Sequence, residues 1–244
     1  MKALDRQPVL AAPLAKHGEP APASVDAVQP VTRFNLATLN AVPWKNGGGT
    51  TREIACWPPQ ADMESFLWRI SVARIDRDGA FSPFPGVDRV ITLLEGQGVL
   101  LVPQDAAHND GGNAASSPSH ALTQALAPYA FDGAWPIFSK LVGGPCEDLN
   151  VMSRHGLIEA DVVVLHDTGR LTAATAGMLL AVNGRWHVQD AQGAHHTLAP
   201  GEGVWWSQQS NAWTVTPDSA SPQTDLFTVA LRDIGASDRA GVAK

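Results

Sequence analysis

An all-β fold is predicted by three features of the sequence. Helical 3.6-residue periodicity is nearly absent, and short apolar runs alternate with Gly, Pro, Asn and Asp. A strand, glycine turn, strand phrase also occurs twice, as "LLEGQGVLL" at 93–101 and "LAVNGRWHV" at 180–188. Many short strands with frequent turns argue for a sandwich or barrel.

The elements follow in order. "FLWRISVARID" reads as a strand and "RDGAFSPFPG" as a turn-rich connection, and "VDRVITLLEGQGVLLVP" reads as a hairpin through Gly96 and Gly98. In the second half the runs "IEADVVVLHDTG", "MLLAVNGRWHVQ", "HHTLAPGEGVWWSQ", "AWTVTP" and "DLFTVALRDI" are the strand candidates, with Asn183-Gly184 a type I′ hairpin signal. "SSPSHALTQAL" is the one plausible short helix. The repeated phrase, followed in the second half by the corner "TLAPGEGVWW", suggests two copies of a cupin-like jelly-roll barrel.

This predicts a flexible N-terminal tail over 1–30, a first barrel over 31–156 with an insertion at about 103–120, a second barrel over 157–236 and a C-terminal tail over 237–244. The tail is rich in Ala and Pro, and the insertion is rich in Gly, Asn and Ser, so neither buries enough apolar surface to offset its ordering entropy.

Composition narrows the function. The chain has 244 residues, 44% of them hydrophobic, which is enough for a sizeable core. A net charge of −7 offers no basic field for nucleic acid or anionic membrane, and the longest apolar runs are too short to span a bilayer. Cys56 and Cys146 lie outside any CxxC pairing and read as reduced thiols. No secretory signal pattern opens the chain, and a cytoplasmic location is expected. Apolar-rich sheets often cover an edge with a partner, so a homodimer is compatible with this composition. Trp205, Trp206 and Trp213 read either as an open apolar patch for a protein partner or as a buried seam.

The stretch "PWKNGGGTTREIACWP" concentrates three glycines beside gripping side chains. It is not a Walker loop, because Lys45 precedes the glycines, and it lacks the GxGxxG spacing of a dinucleotide site. A cupin metal site needs an HxH pair, and none occurs; His195 and His196 are adjacent and point to opposite faces of a strand. No metal or other cofactor is expected. No GxSxG elbow marks a nucleophile, so no catalytic residue is assigned.

Polar residues on strands remain. Arg69 and Ser71 share a face with Leu67 and Ala73, and Arg89 shares one with Ile91 and Leu93. Around the glycines Thr50 and Arg52 point one way, Thr51 and Glu53 the other. These arginines either pair with Glu53, Asp88 and Asp148 or face a pocket. Trp44 and Trp68 read equally as apolar pocket walls or as core.

Three segments, "WKNGGGTTREIACWP", "FLWRISVARIDRDGAFSPFPGVDRVITLLEGQGVLL" and "GGPCEDLNVMSRHG", together resemble the HutD/Ves family. The resemblance implies a bicupin fold and a bacterial role in histidine utilisation or stress response. It further implies a small-molecule-binding regulator that senses an anionic intermediate such as N-formylglutamate or urocanate. No firm reaction attaches to the family.

On that resemblance Arg52, Arg69 and Arg89 become carboxylate anchors, with Ser71 beside them and Glu53 opposite. Asn46 and Asn150 become amide partners, Trp44 a wall, and Gly47 and Gly48 the rim of the pocket. Arg154 takes the place of one of two basic residues that follow "NVM" in the family; His155 stands at the second and would make that contact pH-dependent. The competing expectation is a metal-independent isomerase or hydrolase that uses Glu53 or His155 as general acid–base.

Overall fold

A computed structural model describes residues 31–104 and 119–235. The expected N-terminal tail, nearly all of the 103–120 insertion and the expected C-terminal tail lie outside the described residues. Every sheet is antiparallel, and the one helical element among the described residues is a single 3-10 turn, Leu36–Thr38.

Three strands come first: β1 (Thr32–Asn35), β2 (Ala41–Pro43) and β3 (Gly49–Trp57). Eight follow: β4 (Trp68–Ile75), β5 (Gly79–Ala80), β6 (Val87–Glu95), β7 (Val99–Pro103), β8 (His120–Leu122), β9 (Tyr129–Asp132), β10 (Ile137–Leu141) and β11 (Cys146–Arg154). The last eight are β12 (Ile158–Leu165), β13 (Gly169–Ala174), β14 (Ala176–Asn183), β15 (Trp186–Asp190), β16 (His195–Leu198), β17 (Glu202–Trp206), β18 (Asn211–Pro217) and β19 (Asp225–Asp233).

The two groups of eight have one topology. In the first group the strand orders are β4-β11-β6-β9 and β5-β10-β7-β8; adding eight to every number gives β12-β19-β14-β17 and β13-β18-β15-β16, the orders of the second. The extra strands extend the larger sheets: β3 and β2 continue from β4, and β1 pairs with β17. Residues 32–35 therefore belong to the sheet of the second group, although they lie at the start of the 31–156 segment.

Packing joins the sheets into four layers. Ile91 and Leu93 meet Val99, Leu101 and Ile137 between the two sheets of the first group. Leu179 and Leu226 meet Trp186, Val188 and Trp213 between those of the second. The larger sheets pack back to back through Trp68, Ile70 and Val151 on one side and Met178, Phe227 and Val229 on the other. Trp68 is thus core and not a pocket wall; it meets Trp205 edge-on at 6.4 Å, a contact worth about 0.5–1.5 kcal/mol beyond burial. Trp206 and Trp213 are buried inside the second group, so the three tryptophans form no open patch.

Three local expectations change. β6 and β7 are not a hairpin: β6 pairs with β11 and β9, β7 with β10 and β8, so Gly96 and Gly98 turn a corner between sheets. Asn183-Gly184 does the same between β14 and β15, with Gly184 at φ +72. The expected helix at 116–126 is, where it is described, strand β8 followed by a turn, since Ala121 and Leu122 pair with Leu100 and Val99. Cross-strand pairing overrides local propensity there. Cys56 and Cys146 are free. Among the described residues no helix is long and apolar enough to cross a membrane.

Candidate functional site

Strand alternation builds the site. On β4, Trp68, Ile70 and Val72 point into the back-to-back seam, and Arg69, Ser71 and Ala73 point to the other face. Register then lays that face out in rows across β4, β11 and β6. Arg69, Met152 and Arg89 form one row, Ser71, Asn150 and Ile91 the next, and Ala73, Asp148 and Leu93 the third. Beyond them Ile75 and Cys146 close the interior with hydrocarbon and a thiol. Above these rows lies a cavity of about 620 Å³ that reaches Ala73 and Asp148 of the third.

The lip is the loop joining β2 to β3. Trp44 N donates to Gly49 O at 2.9 Å, and Gly47 N donates to Trp44 O at 2.9 Å. Asn46 Oδ1 accepts from Gly48 N at 2.9 Å. Gly47 has φ +66, and a Cβ on Gly49 would lie 2.0 Å from Arg74 O. The glycines therefore serve a tight turn and a close strand approach, the two uses for which a side chain is most costly. The amides of Gly47 and Gly48 are taken by the loop itself. Asn46, Lys45 and Trp44 line the cavity; the Trp44 indole is held by donating to Thr51 Oγ1 at 2.8 Å.

Arg89 is buried, and its guanidinium lies 5.3, 5.7 and 5.1 Å from the ring centroids of Phe81, Phe84 and Phe131. Its Nε donates to Asn150 Oδ1 at a long 3.5 Å, and among the described residues no carboxylate lies within ion-pair distance. Burial pushes its pKa down to about 10, against the pull of Asp148 and with help from the Arg69 charge, so it stays protonated at neutral pH.

Asp148 is 3% exposed, and its Oδ2 has no hydrogen-bond partner among the described residues. Burial pushes its pKa up to about 7, with Arg89 opposing and Glu147 adding to the rise. Arg69 is differently placed: Nε donates to Glu53 Oε2 at 2.7 Å and Nη1 to Ser71 Oγ at 3.4 Å. Arg69 is 12% and Glu53 51% exposed, so this pair stands at the mouth. Beside it Val42 and Met63, 56% and 43% exposed, form an apolar rim.

Three comparisons bear on this geometry. The HutD family model matches residues 36–222. A Protein Ves from Cronobacter sakazakii is 36% identical over 179 residues, 73% of this chain and 88% of the relative. The chain belongs to the HutD family. Among solved structures, HutD from Pseudomonas fluorescens SBW25 superposes with a TM-score of 0.66 at 25% identity, covering 84% of this chain and all of that one. The cupin-fold oxalate decarboxylase of Lactobacillus farciminis gives 0.58 at 10% identity over 90% of this chain and 92% of that one, a likeness of fold.

In this HutD-family chain the cavity brings together seven of the residues singled out from sequence: Trp44, Asn46, Glu53, Arg69, Ser71, Arg89 and Asn150. Gly47 and Gly48 shape the lip without lining it. Arg52 lies on the opposite face, donating to Leu36 O at 3.3 Å and to Glu147 Oε2. Arg154 spends its guanidinium on the carbonyls of Phe66 and Glu64 and on the Phe66 ring, holding the segment that leads into β4. His155 is exposed against Asp88 at 3.1 Å, outside the cavity. Asp148, Phe81 and Phe84 were missed. Asp148 shares strand parity with Asn150, which was legible; the two phenylalanines sit in the irregular connection between β5 and β6, with no periodicity to place them.

A first-row metal needs three or more imidazole, thiolate or carboxylate donors. The cavity lining offers the carboxylates of Glu53 and Asp148 and neither imidazole nor thiol, and the described residues gather no such cluster. The donor set does not fit the metal of a cupin site.

The second copy of the topology shows what this site is not. Arg89 precedes its corner glycine by seven residues (96 − 89), as Gly177 does (184 − 177). Register then matches Asp148 with Leu226 and Arg69 with Asp161. A Cβ on Gly177 would lie 2.6 Å from the Trp206 ring, and Trp206 packs at 5.3 Å on Trp213. Indole fills the space that is open in the first copy, leaving a crevice of about 90 Å³.

Proposed function

We propose that this chain is a metal-independent binding protein for a small carboxylate, an intermediate of histidine degradation such as N-formylglutamate or urocanate, and that it modulates histidine utilisation by sensing it. On this reading each eight-stranded unit is a cupin-type barrel, the whole is a cytoplasmic bicupin, and only the first barrel carries a ligand. The observation that carries it is Arg89, a buried cation with no carboxylate within ion-pair distance among the described residues, facing a cavity that Arg69 also enters. Burying an unpaired charge is costly, and an incoming carboxylate removes that cost while gaining charged hydrogen bonds of about 1.5–3 kcal/mol each. Family membership supplies the metabolic context.

Isothermal titration with N-formylglutamate, urocanate and glutamate tests the reading. Saturable binding of at least one is expected, and the absence of heat from all three at millimolar concentration removes the proposal.

One observation favours a second reading, an isomerase or hydrolase acting on the same carboxylate. Asp148 faces the cavity with a pKa near neutrality, as a general acid–base group requires. Turnover followed by NMR separates catalysis from binding.

A further inference from the structure

Asp148 and Arg89 stand on adjacent strands, face the same cavity and lack partners strong enough for buried ions. Among the described residues Asp148 Oδ2 has no hydrogen-bond partner, and the one side-chain hydrogen bond of Arg89 goes to Asn150 at 3.5 Å. Asp148 lies four steps along β11 from Met152, the residue opposite Arg89, which is about 13 Å of strand. The side chain of Asn150 lies between. Resting on the reading above, we infer that a carboxylate bound at Arg89 draws a proton onto Asp148, which then donates its hydroxyl to a second oxygen or nitrogen of the ligand. The cavity thereby selects carboxylates that carry a carbonyl or other hydrogen-bond acceptor several atoms away.

The charges around Asp148 determine the direction. Arg89 on β6 lowers its proton affinity, and Glu147 on its own strand raises it. Arg69 on β4 is already engaged by Glu53 of β3, and Lys45 stands in the lip. Cys146, two residues along β11, has its thiol pushed up to about 11 by burial and by Asp148, and is neutral. The segment from Ala80 to Phe84 above the floor brings no charged group. Arg89 is thus the main stabiliser of the Asp148 carboxylate, and a ligand carboxylate neutralises it. The balance is one ligand anion and one solvent proton taken up for each site filled, with no covalent step. Above neutral pH, where free Asp148 is ionised, affinity then falls about tenfold per pH unit.

The test is titration calorimetry of the full chain with N-formylglutamate at pH 8 in phosphate and in Tris, whose ionisation enthalpies differ. The expected apparent enthalpy varies with buffer in proportion to about one proton taken up. Asp148→Asn, neutral at every pH, is expected to bind with buffer-independent enthalpy and a flat pH profile. A buffer-independent enthalpy in the wild-type chain, or proton uptake retained in Asp148→Asn, overturns the inference. A ligand-free measurement separates this from failure of the binding reading. The Asp148 carboxyl carbon, followed by NMR, is expected to titrate at least one pH unit higher in Arg89→Met than in wild type. An unchanged titration overturns the coupling even if N-formylglutamate gives no heat.

Discussion

Arg69 and Arg89 stand on the two strands that flank β11, each opposite Met152, so two guanidinium groups enter one cavity from either side of a single methionine. At the backbone they are about 10 Å apart, two strand spacings. One is already paired with Glu53 at the mouth, and the other is buried among rings. The two arginines therefore predict different mutational behaviour.

Arg89→Met is expected to lower N-formylglutamate affinity at least tenfold while leaving thermal stability unchanged or higher by about 1 kcal/mol at about pH 5, where Asp148 is protonated and needs no cation beside it. The substitution removes a charged hydrogen bond to ligand, yet it also removes an unpaired buried charge and keeps the volume. Calorimetry paired with thermal denaturation checks both; a large loss of stability with affinity intact would mark Arg89 as structural.

Arg69→Ala is expected to weaken binding tenfold or more, since one charged hydrogen bond of about 1.5 kcal/mol already amounts to that. Arg52→Ala is the contrast. Its partners are Leu36 O and Glu147 on the other face, so affinity should stay within twofold while stability drops by about 1 kcal/mol. Equal losses of affinity in the two variants would refute the assignment of faces.

The Asp148 carboxyl gives stability a pH signature. Its folded pKa is raised from 3.8 to about 7, so between these values the folded chain holds a proton that the unfolded chain has lost. Stability from this group accordingly falls as pH rises from about 4 to 7 and is level above. Asp148→Asn should therefore stabilise the chain more at pH 8 than at pH 4, read from denaturant midpoints at the two pH values. The reverse order would count against a raised pKa.

Gly49→Ala places a methyl 2.0 Å from the Arg74 carbonyl, and the backbone must move. A loss of about 1–3 kcal/mol is expected, by the usual cost of overpacking. Because the same strand delivers Glu53, ligand affinity should fall with it, measurable in one calorimetric series.

Trp206→Ala empties part of the second copy and should cost about 3–5 kcal/mol by chemical denaturation, as large aromatic truncations do. Binding of N-formylglutamate should stay within twofold, because the ring lies in the filled interior of the other unit. A large change in affinity would show that both copies take part in recognition.

Local periodicity determined much of this site. That Arg69 shares a face with Ser71, that Arg89 shares one with Ile91, and that Arg52 and Glu53 diverge follow from the two-residue repeat of a strand, and the structure keeps all three. The glycine run was legible as a lip, though only the structure shows that Gly47 turns the chain and Gly49 lets two strands approach. The repeated glycine phrase marked a doubled topology before any strand could be paired.

The tertiary structure decided what each face meets, because strand pairing joins residues far apart in the chain. Gly96 and Asn183-Gly184 signal turns, but only the partners β11 and β19 make them corners between sheets. Arg52 and Glu53 diverge by geometry, yet it took the packing of Leu36 and Glu147 to send Arg52 away from the cavity. The same eight-strand plan is hollow where Arg89 stands and solid where Gly177 admits Trp206, a difference set by how side chains from opposing strands share volume.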